Sequence, residues 1–157
     1  MKNKMKIWVD ADSCPIRIRS IICKASLRIN RQVIFAANRP IPLSQFKTVS
    51  MVVTEAIEQA ADNFIVKNAK SGDLVITRDI PLAKILVDLS ITVINDRGTI
   101  FTSDNINTFV SVRNFMYELQ ANGLSPEKAN SFGKKEIQKF SNLLDSVLTK
   151  LLRSEAL

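Results

Sequence analysis

Short apolar runs that end in acidic or proline-containing turns set the rhythm of this chain. Ile7-Trp8-Val9 runs into Asp10-Ala11-Asp12-Ser13-Cys14-Pro15, and Leu74-Val75-Ile76-Thr77 runs into Arg78-Asp79-Ile80-Pro81. The spacing predicts a strand over residues 6–10 and a helix over 14–27 with Ser13 as N-cap, followed by a strand over 32–37. Asn38-Arg39-Pro40-Ile41-Pro42 reads as a proline-stiffened loop, and the β-branched stretch 48–54 as a short third strand. Ala56, Ile57, Ala60, Ala61, Phe64, Ile65 and Ala69 recur at helical spacing, with Gly72 past the helix end.

Residues 74–77 form a fully apolar strand, Pro81 opens a helix to Asp88, and 91–94 form another strand. Asn95-Asp96-Arg97-Gly98 turns into Thr99-Ile100-Phe101. Thr102-Ser103-Asp104 then caps a helix to Gly123 that carries Arg113, Phe115, Met116 and Leu119. Ile137, Phe140, Leu144, Val147, Leu148, Leu151 and Leu152 mark a terminal amphipathic helix over 134–153, whose apolar face either covers the sheet or makes a subunit contact. Alternating strands and helices predict an α/β fold with a mainly parallel sheet and helices on both sides.

At 157 residues, 46% hydrophobic and 24% charged, the chain fits one compact domain over 1–157. No apolar stretch approaches the ~20 residues of a membrane span, and Met1-Lys2-Asn3-Lys4-Met5-Lys6 leads straight into a strand, so a cytoplasmic protein is expected. Cys14 and Cys23 are the only cysteines, and nine helical steps set them on opposite faces, which points to free thiols.

The chain has no histidine. That removes the usual neutral-pH base, the Ser-His-Asp triad and imidazole zinc sites, and leaves hydrolysis to carboxylates. Oxygen ligands suit Mg²⁺ or Mn²⁺. The net charge of +7 fits a polyphosphate partner.

Asp10, Asp12 and Asp79 stand at two strand-to-helix junctions. Each has an ordinary explanation as a helix cap. Their joint placement, where ligands bind in open α/β sheets, makes them candidate ion ligands. Glu58 and Asp62, four apart, share a helical face, for which a solvated surface is the simple alternative. Asp96 and Asp104 sit in polar turns where aspartate is common.

The opening block, Ala61-Asp62-Asn63, the run from Gly72 to Ala83, Asn95, Arg97-Gly98, and Arg113 with Phe115-Met116 together resemble the YaiI/YqxD family of small bacterial proteins across nearly the whole chain. That family in turn resembles PIN-like domains, three-layer α/β/α proteins that are commonly Mg²⁺- or Mn²⁺-dependent ribonucleases. The resemblance implies that Asp10, Asp62 and Asp79 are the catalytic acids, with Thr77 orienting a carboxylate. It leaves the fourth acid of that group unmatched, with Asn95 and Asp96 in its region. Cys14, Arg97 and Arg113 belong to the nearer family's pattern.

Arg17, Lys24, Arg28 and Arg31 fall at spacings of seven, four and three, a basic stripe that either contacts nucleic-acid phosphates or is a solvated helix face. Arg39, Arg78 and Arg97 lie in loops near the acidic edge and, with Arg113 and Thr77, are candidates for gripping substrate. Aromatics make up 6% and do not interleave with the basic residues, which gives no support for base stacking. Cys14 lacks a histidine partner and has two aspartates nearby, which argues against a nucleophilic role.

The leading expectation is therefore a metal-dependent RNA phosphodiesterase. Asp10-Ala11-Asp12-Ser13 also fits the Asp-x-Asp-x-Ser/Thr opening of haloacid-dehalogenase-like phosphatases, with Asp10 as nucleophile. The third alternative is an RNA-binding module without turnover. A homo-oligomer through the terminal helix is compatible with all three.

Overall fold

The computed structural model describes residues 4–12, 14–124 and 132–157. Eleven elements follow in chain order: β1 (Ile7–Asp10), α1 (Ile16–Ile29), β2 (Val33–Ala37), β3 (Val49–Val53), α2 (Ala60–Asn68), β4 (Leu74–Ile76), α3 (Ile80–Asp88), β5 (Thr92–Ile94), β6 (Ile100–Phe101), α4 (Ile106–Ala121) and α5 (Lys134–Ala156). The strands form one sheet in the order β3-β2-β1-β4-β5-β6, parallel except for the antiparallel β5-β6 edge.

Both faces of the central strands are buried, and their residues divide between two cores with a period of two. Ile7, Val9, Val33, Phe35, Leu74, Ile76 and Ile94 pack with Ile18 and Ile22 of α1 and with Phe140, Leu144 and Leu148 of α5. Trp8, Ala36, Val75 and Val93 pack on the other side with Ile65 of α2, Leu82 and Leu86 of α3 and Ile106 of α4. This is why the strands read as unbroken apolar runs: a sheet covered on both faces has no polar side to alternate with. Three layers result, with α1 and α5 on one face and α2, α3 and α4 on the other.

The chain leaves β1 toward β2 and β3 but leaves β4 toward β5, so the winding reverses between β1 and β4. Ligands in such sheets bind beyond the carboxyl ends of the strands at that reversal. At the opposite, N-terminal edge, buried Asp73 accepts the Trp8 indole N–H at 3.0 Å and the backbone N–H groups of Lys6 and Lys70 at 2.9 and 3.0 Å, tying β1 to β4.

Several boundaries differ from the sequence pattern. The expected capping residue Ser13 lies outside the described residues; α1 begins after Pro15 and ends on left-handed Asn30. The second helix starts at Ala60, not near 56, because Gln59 takes φ 68° and breaks the helical path. Glu58 therefore stands outside α2, and the shared helical face with Asp62 is not formed. Thr99-Ile100-Phe101 contributes the short β6, not only a turn. Asn105 occupies the cap position of α4, and its side-chain oxygen accepts the Thr102 N–H at 2.8 Å.

The α5 apolar face expected to cover the sheet or meet another subunit is used within the chain, where Phe140, Leu144, Val147 and Leu148 are buried. Arg28 pairs with Asp145 at 2.9 Å and Arg31 with Glu155 at 2.6 Å, clipping α1 to α5. Gly98, at φ +85°, lets α5 approach: a Cβ there would lie 2.6 Å from Lys139 Cγ and 2.8 Å from its carbonyl carbon.

Candidate active site

A cleft of about 470 Å³ opens at the C-terminal edge of β1 and β4, walled by the N-terminal ends of α2 and α3 and by α4. Asp10, Asp12, Glu58, Asp62 and Asp79 line it, together with Arg78 and Arg113. The fold thus brings together the three acids expected to be catalytic and the three expected to hold metal, from segments up to 69 residues apart in sequence (79 − 10).

Each carboxylate is held differently. Asp10 ends β1, and its Oδ2 accepts the Thr77 hydroxyl at 2.8 Å. That hydroxyl oxygen in turn accepts the Asp79 backbone N–H at 3.0 Å, so one threonine fixes the relation between the two junctions. Thr77 is only 2% exposed, which makes it an orienting group and keeps it from substrate. Asp79 caps α3 by accepting the Leu82 N–H at 2.9 Å. The capping and the site readings of Asp79 therefore coexist: one oxygen serves the helix, and the carboxyl also reaches Asp62. Asp12, exposed on the rim, accepts the Asn38 N–H at 3.0 Å.

Crowding of like charges marks the cleft electrostatically. Burial, a hydrogen bond with Asp79 and the negative charges of Asp79, Asp10 and Asp12 push the Asp62 carboxyl up to about 7. Burial also raises Asp10, offset in part by the Thr77 hydroxyl and reinforced by Asp79 and Asp12. Among the described residues, no three His, Cys, Asp or Glu side chains close to the spacing of a bound ion. A proton held on Asp62 relieves this crowding of negative charge in the absence of a counter-ion.

A pH dependence of stability follows. An acid whose folded value lies at about 7, against 3.8 for an ordinary aspartate, binds its proton more tightly in the folded state. Its contribution is full at pH below about 4 and is lost as pH rises through about 7. The thermal midpoint of the metal-free protein is expected to fall between about pH 4 and 7, and Asp62→Asn to flatten that fall. Identical slopes in calorimetry of the two proteins would contradict this assignment.

The other expected contacts divide. Arg113 lines the cleft from α4, its guanidinium 4.4 Å from the Tyr117 ring centroid. Arg97 is not in the cleft wall; its guanidinium sits 5.4 Å from the Phe132 ring centroid, toward α5. Arg39 is exposed in the loop after β2 and also lies outside the wall. Arg17, Lys24 and Arg28 project from α1, on the sheet face opposite α2 and α3, and the stripe is broken by the ion pairs of Arg28 and Arg31. Cys14 and Cys23 are free and buried. Burial pushes the Cys14 thiol up to about 12, with the Asp96 charge adding to it, so no thiolate is available.

Sequence reasoning undervalued Asp96. It is 3% exposed, and its Oδ2 accepts the Arg78 Nε–H at 2.7 Å. The register explains the pairing. Ile76 lies opposite Ile94, so the residues two further along each parallel strand end side by side. A cation and an acid at equal offsets past adjacent strand ends are a detectable signal once strand neighbours are known.

An α/β protein with a carboxylate cleft at the reversal point of its sheet is the class defined by this architecture. The family model described as uncharacterized BCR, YaiI/YqxD family, matches residues 8–150. A UPF0178 protein of Treponema denticola is 71% identical over 153 residues, covering 98% of this chain and 97% of the relative. Counterparts in Treponema pallidum and Syntrophobacter fumaroxidans are 50% and 43% identical, covering 95% and 93% of this chain and 84% and 95% of theirs. This chain belongs to the YaiI/YqxD family. No solved structure matches it. Among the described residues no helix is long and apolar enough to cross a membrane.

Proposed function

We propose that this protein is a divalent-cation-dependent phosphodiesterase that cleaves RNA at the cleft between the ends of β1 and β4. The observation that carries this reading is the convergence of Asp10, Asp62 and Asp79 on one cleft, in a chain with no histidine and a charge of +7.

The donor set fits Mg²⁺ or Mn²⁺ in its chemistry: hard carboxylate oxygens, crowded enough that Asp62 retains a proton near neutrality. Asp10 and Asp79 would hold the ion, with Asp12 at the rim. A bound divalent cation supplies positive charge against the scissile phosphate and lowers the pKa of water. Asp62, on the wall of the same cleft, is the carboxylate placed to accept the proton of an attacking water once the cation offsets the charges of Asp10 and Asp79. Thr77 keeps Asp10 oriented, and the N-terminal end of α3 directs its dipole toward the anion.

A phosphatase with Asp10 as nucleophile would call for a lysine on the cleft wall. The described wall carries Arg78 and Arg113 and no lysine, which favours the phosphodiesterase. The test is cleavage of single-stranded RNA by the purified protein with Mn²⁺. Hydrolysis that stops on chelation is expected. Tight, salt-sensitive RNA binding without cleavage under any divalent ion would select the non-catalytic module instead, and an aspartyl-phosphate trapped at Asp10 would select the phosphatase.

A further inference from the structure

We propose that Arg78 is the phosphate-binding residue of the cleft and that buried Asp96 is its positioning residue. This rests on the phosphodiesterase reading only for the class of anion, the internal phosphate of an RNA strand.

Arg78 sits between the two residues that organise the carboxylates, Thr77 on Asp10 and Asp79 on Asp62. Its side chain is 41% exposed and lines the cleft. The other arginines considered for this role are placed otherwise. Arg97 stacks toward Phe132, Arg39 lies outside the wall, and Arg113 leans on Tyr117 with no carboxylate partner among the described residues. Arg78 alone is braced from below: its Nε and Nη2 both reach one oxygen of Asp96. Among the described residues Nη1 makes no hydrogen bond, which leaves it available to a ligand in the cleft that Arg78 lines.

Asp96 explains itself through this contact. Its carboxylate is almost wholly buried, with Oδ2 accepting from Arg78 and Oδ1 without a partner among the described residues. A buried carboxylate is costly unless it is paired, and the Arg78 guanidinium is the charged partner Asp96 has. The loop that carries it is rigid: the Asn95 side-chain oxygen accepts the N–H groups of Arg97 and Thr99 at 3.0 and 2.9 Å. Held in one geometry, the guanidinium meets a phosphate without first losing its side-chain freedom, and its planar fork suits that anion better than an ammonium. In a cleft lined by five carboxylates a cation must be fixed, or it would collapse onto Asp79 or Asp62 and leave the phosphate unmet.

Fluorescence anisotropy of a labelled single-stranded oligoribonucleotide, with Ca²⁺ present and salt varied, separates the possibilities. Arg78→Gln is expected to weaken binding about tenfold and to lower the salt slope by about one. Arg78→Lys should recover the slope but not the affinity. Asp96→Asn should weaken binding several-fold alone yet add nothing to Arg78→Gln, since a residue acting through another is silent once that other is gone. Thermal melts of each variant report folding, and Arg78→Lys serves if Arg78→Gln does not fold. Binding by Arg78→Gln within twofold of wild type at unchanged slope, or an additive double variant, would overturn the proposal. Loss of hydrolysis in the wild-type protein with these binding effects intact would sink only the phosphodiesterase. Intact hydrolysis with unaffected binding would sink only this assignment.

Discussion

Asp10→Asn is expected to reduce Mn²⁺-dependent RNA cleavage by about a thousandfold while leaving the metal-free fold as stable as wild type or more so. Loss of an ion ligand removes several kcal/mol of charge stabilisation from the transition state, and each ~1.4 kcal/mol is tenfold in rate. Stability should not suffer, because asparagine keeps an oxygen for the Thr77 hydroxyl, which donates to Asp10 at 2.8 Å. The substitution also removes one of the charges that raise Asp62. A gain in thermal midpoint on adding Mn²⁺, present in wild type, should vanish in the variant. Single-turnover cleavage and calorimetry with and without the ion measure both halves. A variant that cleaves at the wild-type rate and keeps the ion-dependent shift would end the assignment of Asp10 as ligand.

The sheet and its acidic edge were legible because the physics that builds them is local. Ile7-Trp8-Val9 and Leu74-Val75-Ile76 are apolar throughout, as a strand covered on both faces must be, and the acids follow at once. The start of α2 was not legible, since Ala56 and Ile57 continue the helical spacing while Gln59 adopts a left-handed backbone that residue type does not announce. Asp96 looked like an ordinary turn residue because its importance comes from a neighbour 18 positions away, and only strand order reveals that neighbour. The stripe on α1 has helical regularity, but regularity cannot report that Asp145 and Glu155 of α5 reach Arg28 and Arg31. In α4, Phe115 and Tyr117 are more than half exposed and Ile106 is the buried residue, a division the spacing of its apolar residues does not reveal.

The largest expected loss of stability is from Phe140→Ala, about 3–5 kcal/mol. Phe140 is fully buried and is, with Phe35, among the largest such side chains. It belongs to the same core as Val9, Phe35 and Ile76, so it couples α5 to the strands that carry Asp10 and Thr77. Its removal leaves a ring-sized void between a helix and a sheet held by flanking Leu144 and Leu148, which limits collapse into the gap. The Arg28–Asp145 pair cannot compensate, since it is more than half exposed at both ends. Urea unfolding should therefore show a lower midpoint at nearly unchanged slope, with Phe140→Leu losing less than half as much. Because α5 covers the face opposite α2 and α3, residual folded protein at low temperature should keep the wild-type affinity for RNA. A loss below 1 kcal/mol would mean that α5 is not docked on the sheet, and its apolar face would then be free to meet another subunit.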